Sequence, residues 1–288
     1  MKTKITRLLL SAVLMMCCTV SALAQLGTLP NDEIWYTTTD GNKCDPYKSD
    51  VFGATIISNE YANGHGTIKF DGNVTSIGAS AFWFCDLLQS ISIPSGVTSI
   101  GANSFYFCSS LQSISIPSDS KLTSIGANAF YMCDLLQSIS IPSGVTSIGA
   151  SAFYFCQSLQ SISIPSDSKL TSIGEDAFYY CKLLQSISIP SGVTSIGKQA
   201  FYRCESLQSI TFHSIPNVEK DAFYGSGIKN KTLDLTDSNK PYIGTSLGNY
   251  PSGGFTEAKY TFSLTKNAWG TVVLPFVPSS ESISKLEF

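Results

Sequence analysis

The sequence is dominated by one stretch, residues 97–118, which reads VTSIGANSFYFCSSLQSISIPS and returns with small changes through most of the chain. Self-similarity with a period between about 20 and 50 residues is typical of solenoid proteins. The chain is therefore predicted to stack eight similar units, here called rungs. Their short apolar cores, spaced 23 or 25 residues apart, lie at 68–70, 91–93, 114–116, 139–141, 162–164, 187–189, 210–212 and 233–235.

Each rung carries its own strand and turn signals. In the core at 114–116 two isoleucines flank a serine, so a strand would point the isoleucines to one face and the serine to the other. A Pro-Ser-Gly-Val turn (94–97) alternates with a turn two residues longer (117–122), a change that a surface turn tolerates. A short helical or 3₁₀ segment is then expected to carry Phe105 and Cys108 inward. One rung buries too little apolar surface to fold alone, so stability must come from stacking.

The repeat resembles a known family. The pattern L-x-x-I-x-I-P-x-x-V-T-x-I-G-x-x-A-F-x-x-C at residues 136–156 is similar to the BspA-type, or treponemal-type, leucine-rich repeat of secreted and surface proteins in host-associated bacteria. The resemblance covers residues 68–226, and the last unit departs from it with Glu219 in place of the glycine and Ser226 in place of the cysteine. It implies a leucine-rich repeat solenoid of α/β type, with short strands and short helical or 3₁₀ turns. It also implies binding to host proteins, extracellular matrix or other cells.

The repeats divide the chain into four parts: a signal peptide (1–24), an N-terminal β cap (25–67), the solenoid (68–228) and a C-terminal β segment (229–288). In the cap, residues 33–39 are β-branched and aromatic and precede an Asp-Gly-Asn turn, which predicts a strand. In the C-terminal segment, alternation predicts strands at 260–264 and 271–276. That segment either covers the last rung or is a truncated β module.

The first 24 residues have the three parts of a secretory signal: a basic start, an apolar run at 8–20, and Ala-Leu-Ala before the expected cleavage after Ala24. The alternative is a lipoprotein signal ending at Cys17 or Cys18, although neither follows the small residue that such signals prefer. The apolar run is too short to span about 30 Å of hydrocarbon. We therefore predict a secreted or cell-surface protein whose mature chain has no transmembrane helix.

Six cysteines occupy the same position in successive rungs: Cys85, Cys108, Cys133, Cys156, Cys181 and Cys204. Stacked rungs are close enough for disulfides, and export would permit them. Equivalent side chains in a stack point in parallel rather than at one another, so we predict buried free thiols. Cys44 has no obvious partner. A metal site is not expected, because His65 and His213 lie at opposite ends of the array.

The strands also predict a polar surface, and this is the candidate ligand face. It is formed by Gln112, Ser113, Ser115, Gln137, Ser138, Ser140, Gln160, Ser161, Ser163, Gln185, Ser186 and Ser188. One interpretation is a hydroxyl and amide ladder that only solvates the sheet. The other is a flat, uncharged, hydrogen-bonding surface for a protein or glycan ligand outside the cell. Charged residues beside the tyrosines of the turns form a second possible contact surface.

Charge and motif content exclude several functions. Without the three basic residues of the leader, 15 basic residues stand against 21 acidic ones, and no basic stripe predicts nucleic-acid binding. The sequence has no phosphate loop, no histidine–carboxylate pair and no zinc spacing, so we predict no enzyme, no cofactor and no metal. The leading hypothesis is an exported binding or adhesion protein. The alternatives are a glycan-binding accessory protein and a structural spacer.

Overall fold

The computed structural model describes residues 28–214 and 216–228, together with the backbone of strands at 230–235 and 257–260. The predicted signal peptide, the predicted strand at 271–276 and most of the one at 260–264 lie outside the described residues. Within the described part, strands and turns make up the whole structure, and no helix is present.

The strands, in chain order, are β1 (Glu33–Thr38), β2 (Ile56–Ala62), β3 (His65–Phe70), β4 (Ser76–Ile77), β5 (Leu88–Ser92), β6 (Ser99–Ile100), β7 (Ser113–Ser115), β8 (Ser124–Ile125), β9 (Ser138–Ser140), β10 (Ser147–Ile148), β11 (Ser161–Ser163), β12 (Ser172–Ile173), β13 (Ser186–Ile189), β14 (Ser195–Ile196), β15 (Ser209–Phe212), β16 (Asn217–Val218), β17 (Asn230–Leu235) and β18 (Glu257–Tyr260). A large sheet has the order β18-β17-β15-β13-β11-β9-β7-β5-β1-β3-β2, and a small sheet has the order β16-β14-β12-β10-β8-β6-β4.

From β5 to β16, each rung gives one strand to each sheet, and successive rungs pair in parallel and in register. Ser138 lies beside Ser161 and Ile139 beside Ile162, so each residue type forms a straight file along the solenoid. The isoleucines of these strands are buried while the serines face outward. A proline such as Pro142 follows the strand and ends it, because proline has no amide hydrogen for the ladder. The predicted leucine-rich repeat solenoid is confirmed.

The predicted helical or 3₁₀ segment was wrong. Residues 101–108 and their equivalents, here called turn segments, form overlapping turns. Asn103 and Phe107 adopt the left-handed region, with φ of 56° and 60°. The amides of Asn103, Phe105 and Phe107 donate to carbonyls of the next rung at 2.8–2.9 Å, whereas those of Tyr106 and Cys108 donate within their own rung at 3.2 Å. A helix would keep all of these bonds inside one rung, so the turn segments act as a third ladder between rungs.

Close packing between rungs explains the glycine at the start of every turn segment except the last, which begins with Glu219. A Cβ on Gly149 would lie 2.5 Å from the carbonyl carbon of Gly126 and 2.6 Å from the amide nitrogen of Ala127. Both atoms belong to the backbone of the preceding rung and cannot move aside like a flexible side chain. Any larger residue at this position would push two rungs apart.

The core is a column of rings surrounded by aliphatic files. The central phenylalanine rings stack with centroids 5.1–5.4 Å apart and nearly parallel planes. All of them are buried, as are the neighbouring isoleucines and leucines. The stacked rings are Phe82, Phe105, Phe130, Phe153, Phe178, Phe201 and Phe223.

The cap differs from the expected first rung. We expected residues 68–70 to pair directly with the next rung. They lie in β3, but β1 is inserted between β3 and β5 and pairs antiparallel with both. Ile68 and Phe70 are buried as the alternation predicts. The sequence shows their alternation but not the distant strand that pairs with them. A different part of the cap covers the end of the small sheet. The backbone carbonyls of Val51 and Phe52 accept hydrogen bonds from the amides of Gly78 and Thr75, beside β4, at 2.9 and 3.0 Å.

Candidate binding surfaces

The predicted ligand face is a continuous, solvent-exposed surface of the large sheet. Its twelve residues, here called the sheet face, lie on or directly before β7, β9, β11 and β13. Ten of them are exposed, and Gln112 and Ser113 at the N-terminal end are partly exposed. Neighbouring strands of a sheet lie about 4.8 Å apart, so the hydroxyl and amide groups repeat at that distance. The face contains donors and acceptors but no ionisable group.

The cap ends the sheet face on one side. The corresponding serines of β5, Ser90 and Ser92, are buried rather than exposed. Thr37 and Trp35 of β1 pair with them in the sheet, and the Thr37 and Ser90 hydroxyls lie 2.6 Å apart in a hydrogen bond. The accessible face therefore begins at β7.

A histidine lies near the other end of the sheet face. His213 follows β15, in the place that proline occupies in the preceding rungs. Its Nε2 atom lies 2.9 Å from the hydroxyl of Ser188, a residue of the sheet face. The sequence was interpreted only for metal binding at His213, so this contact was missed. The substitution of histidine for the repeated proline was the available signal.

The turn segments present aromatic rings on a second surface. Five successive pairs of tyrosines stack with centroids 4.7–5.2 Å apart. Since the rings lie face to face, each covers the face of the next. Burial, with neighbouring tyrosines contributing, raises the pKa of Tyr154 to about 12. These residues, here called the tyrosine file, are Tyr106, Tyr131, Tyr154, Tyr179, Tyr202 and Tyr224.

Charged residues cluster beside the C-terminal half of the tyrosine file, as the sequence indicated. The Lys182 ammonium and the Arg203 guanidinium lie 5.4 and 5.7 Å from the centre of the Tyr180 ring. Lys198 pairs with Glu175 at 3.6 Å, with both side chains about half exposed. Exposed pairs of this kind contribute little to stability. The cluster therefore presents both positive and negative charges on the same surface.

A shallow groove lies at the N-terminal end of the tyrosine file, where Trp83 takes the place of tyrosine. Its ring is tilted 40° from Tyr106 and contacts Tyr47 of the cap edge-on, with centroids 4.8 Å apart. Next to these rings, the side-chain amide of Asn128 donates to the side-chain carbonyl of Asn103 at 3.0 Å. The groove has a volume of about 460 Å³ and is lined by Tyr47, Lys48, Ser80, Trp83, Asn103, Tyr106 and Asn128. Asparagines in two successive rungs beside a tryptophan were a signal that the sequence interpretation did not use.

The cysteine column faces the core. Five thiols each donate to a phenylalanine carbonyl of the preceding rung at 3.1–3.2 Å, as Cys156 does to Phe130. Burial raises the pKa of these thiols, as for Cys156 and Cys181. They are Cys108, Cys133, Cys156, Cys181 and Cys204, and all five are buried and free. Cys85 is free but only partly buried.

Among the residues that the structure describes, no three histidine, cysteine or acidic side chains converge in a group that could hold a metal ion. The described part of the chain also contains no helix long and apolar enough to cross a bilayer.

Comparison with known proteins agrees with the repeat architecture. The model of the BspA type leucine-rich repeat region matches residues 61–183 and 123–246, in six copies. No curated protein matches the chain at a significant level. Among solved structures, a leucine-rich repeat protein of T. pallidum is 30% identical, with a TM-score of 0.51, over 55% of this chain and 72% of that one.

Two other bacterial structures are similar at lower levels. A leucine-rich cell surface protein of Faecalibacterium prausnitzii is 26% identical, with a TM-score of 0.40, over 62% of each chain. A leucine-rich repeat protein of Bacteroides ovatus is 24% identical, with a TM-score of 0.32, over 70% of this chain and 67% of that one. The family match covers more than half of the 288 residues and coincides with the stacked rungs. The chain belongs to the BspA-type leucine-rich repeat family.

Proposed function

We propose that this chain is an exported, non-enzymatic binding protein that adheres to host proteins, extracellular matrix or other cells through the sheet face. The observation that carries the proposal is the exposure of ten of its twelve residues on the parallel strands β7, β9, β11 and β13 of the large sheet. The isoleucines on the other side of the same strands pack in the core, so only the outward side of these strands is accessible to a partner.

The chemistry of the sheet face favours a large, polar partner. Hydroxyl and amide groups repeated across four strands offer many weak hydrogen bonds and no charge. A small ligand would contact only a few of them, whereas an extended surface contacts many at once. Affinity would then depend on the number of rungs engaged, as in other multivalent contacts.

Export is the second part of the proposal. It rests on the basic start, the apolar run and the Ala-Leu-Ala sequence of the first 24 residues. Cell-surface exposure can be tested by adding protease to intact cells that produce the protein. Removal of the protein would support surface display, and full protection with no protein in the medium would contradict export.

The binding proposal is tested with arrays of extracellular-matrix proteins and of glycans, probed with residues 25–288. Lysine substitutions at Ser140 and Ser163 would place two charges on the sheet face and should weaken binding at least tenfold. Matched controls are Ser118→Lys and Ser166→Lys, which are also exposed but lie in the turns after the strands. Equal loss in both pairs would contradict recognition by the sheet face.

Glycan binding at the groove is a second candidate function. Aromatic faces and paired amides are groups that suit the apolar and hydroxyl sides of a sugar ring. Tyr47 is 58% exposed and contacts Trp83 edge-on. In the tyrosine file, by contrast, parallel stacking covers the ring faces. The Asn103–Asn128 pair then provides polar groups next to the rings.

The two sites can be separated by substitution. If the groove binds a glycan, Tyr47→Ala should abolish the glycan-array signal, whereas Tyr224→Ala, equally exposed at the other end of the tyrosine file, should not. The Ser140→Lys and Ser163→Lys variants would keep that signal. Silence on both arrays, together with tolerance to deletion of one 48-residue block such as 97–144, would favour the spacer instead.

A further inference from the structure

The first cysteine of the column has a different environment from the other five. Their thiols donate to the phenylalanine carbonyl of the rung before them. Before the rung of Cys85, that place is taken by the cap. The Cys85 sulfur instead lies 3.7 Å from the carbonyl oxygen of Asp45. It is also partly exposed, while the other five are buried.

The cap holds Cys44 directly beside this position. The backbone amide of Cys44 donates to the Tyr36 hydroxyl at 3.1 Å, and the side-chain amide of Asn59 donates to the backbone carbonyl of Cys44 at 2.9 Å. Three residues later, the Tyr47 amide donates to the Ala81 carbonyl at 2.8 Å. Residues 44–47 are therefore fixed between strands β1 and β2 of the cap and the turn segment of the first rung.

The two cysteines are neighbours at this junction. The Cys85 sulfur lies 3.7 Å from the carbonyl oxygen of Asp45, the residue that follows Cys44. The neighbouring Cys44 side chain, together with burial, raises the pKa of Cys85. Thiols in neighbouring rungs of the column point in the same direction and each reaches a carbonyl instead. Two cysteines held next to each other on separately fixed segments are the arrangement that a disulfide needs.

We propose that Cys44 and Cys85 form a disulfide that joins the N-terminal cap to the first rung, while the five buried cysteines of the column remain reduced. Each thiol loses a proton and one sulfur–sulfur bond forms. The two electrons and two protons pass to a small-molecule or protein disulfide, which leaves as two thiols. An oxidising compartment outside the cytoplasm would supply such an oxidant.

The disulfide is also expected to stabilise the folded protein. The crosslink closes a loop of about 40 residues, which restricts the unfolded chain.

The test maps the cysteines in the full chain, with Cys17 and Cys18 replaced by serine. The reduced protein is refolded with oxidised and reduced glutathione, denatured without reductant, alkylated and digested. We expect one crosslinked peptide pair containing Cys44 and Cys85, with alkylation at all five buried positions. Alkylation of all seven cysteines, or a crosslink between two members of the column, would overturn the proposal.

Thermal melting provides an independent readout. A phosphine reductant should lower the melting temperature of the oxidised protein by several degrees. Cys44→Ala should melt at the temperature of the reduced protein and show no response to the phosphine. An equal response in Cys44→Ala would overturn the proposal. If Cys44→Ala does not fold, the peptide map of the protein that keeps Cys44 and Cys85 decides whether the disulfide forms.

Discussion

The sheet face and the turn segments are opposite in the way they connect one rung to the next. On the sheet face, serine and glutamine side chains lie side by side and point to solvent. In the turn segments, rings stack on rings, alternate amides bond to the next rung, and thiols reach carbonyls of the rung before. The comparison indicates that side chains of the turn segments stabilise the stack, whereas those of the sheet face remain free for recognition.

The largest effect should come from the ring column. Phe153 is completely buried and stacked between Phe130 and Phe178 at 5.1 and 5.2 Å. Phe153→Ala should lower the free energy of unfolding by about 3–5 kcal/mol, because it removes apolar contacts and leaves a cavity. Denaturant unfolding measures this loss. A loss below about 1 kcal/mol would show that the turn segments do not dominate stability.

A smaller effect of opposite sign is expected at Ser104. Its hydroxyl is fully buried and has no hydrogen-bond partner, and the equivalent positions of other described rungs hold alanine. Ser104→Ala should raise the free energy of unfolding by about 1 kcal/mol, since an unpaired buried polar group is removed.

The matched control for Ser104 is the reverse change one rung later. Ala129 is also fully buried, and Ala129→Ser should lower the free energy of unfolding by a similar amount. Both values come from the same denaturant titrations. If both substitutions destabilise, the hydroxyl of Ser104 has a favourable contact after all.

A smaller loss of stability is expected at alkaline pH, through ionisation in the tyrosine file. The pKa of Tyr154 is raised to about 12 by burial and by nearby tyrosines. A neutral group with a raised pKa contributes stability below pH 10 and loses it as the pH rises towards 12. The melting temperature should fall over that range, and by less in Tyr154→Phe. Identical curves for both proteins would exclude a contribution from Tyr154.

The smallest effect should be on the sheet face. Ser163 is exposed on β11, with its side chain away from the core. Ser163→Ala should change the free energy of unfolding by less than about 0.5 kcal/mol, as expected for surface positions. A loss above 1 kcal/mol would mean that the serine file stabilises the sheet, and the contrast between the two faces would fail.

The parts of this fold that are set by local alternation could be predicted. Ile162 lies between two serines and is buried between two exposed neighbours, as a strand requires. The period of the repeats gave the parallel register, because identical units stack with equivalent residues adjacent. The same reasoning correctly placed the sheet face on the outside.

The remaining features depend on conformations or partners that the sequence does not specify. Phe105 and Cys108 have helical spacing, but the left-handed conformation of Asn103 and Phe107 turns the amides to the next rung. The insertion of β1 between β3 and β5 depends on pairing between distant segments. The proximity of Cys44 to Cys85 follows from that same cap, so neither could be found by periodicity.

The hydrogen-bonded ladders have a mechanical consequence when the protein is placed under tension. All ladders between rungs run along the solenoid axis, so a pull along that axis loads every junction between rungs in series. The weakest junction should open first and release one rung at a time. Each release would add about 80–90 Å of extended chain for 23 or 25 residues, so the protein would lengthen in steps under load while its remaining rungs stayed folded.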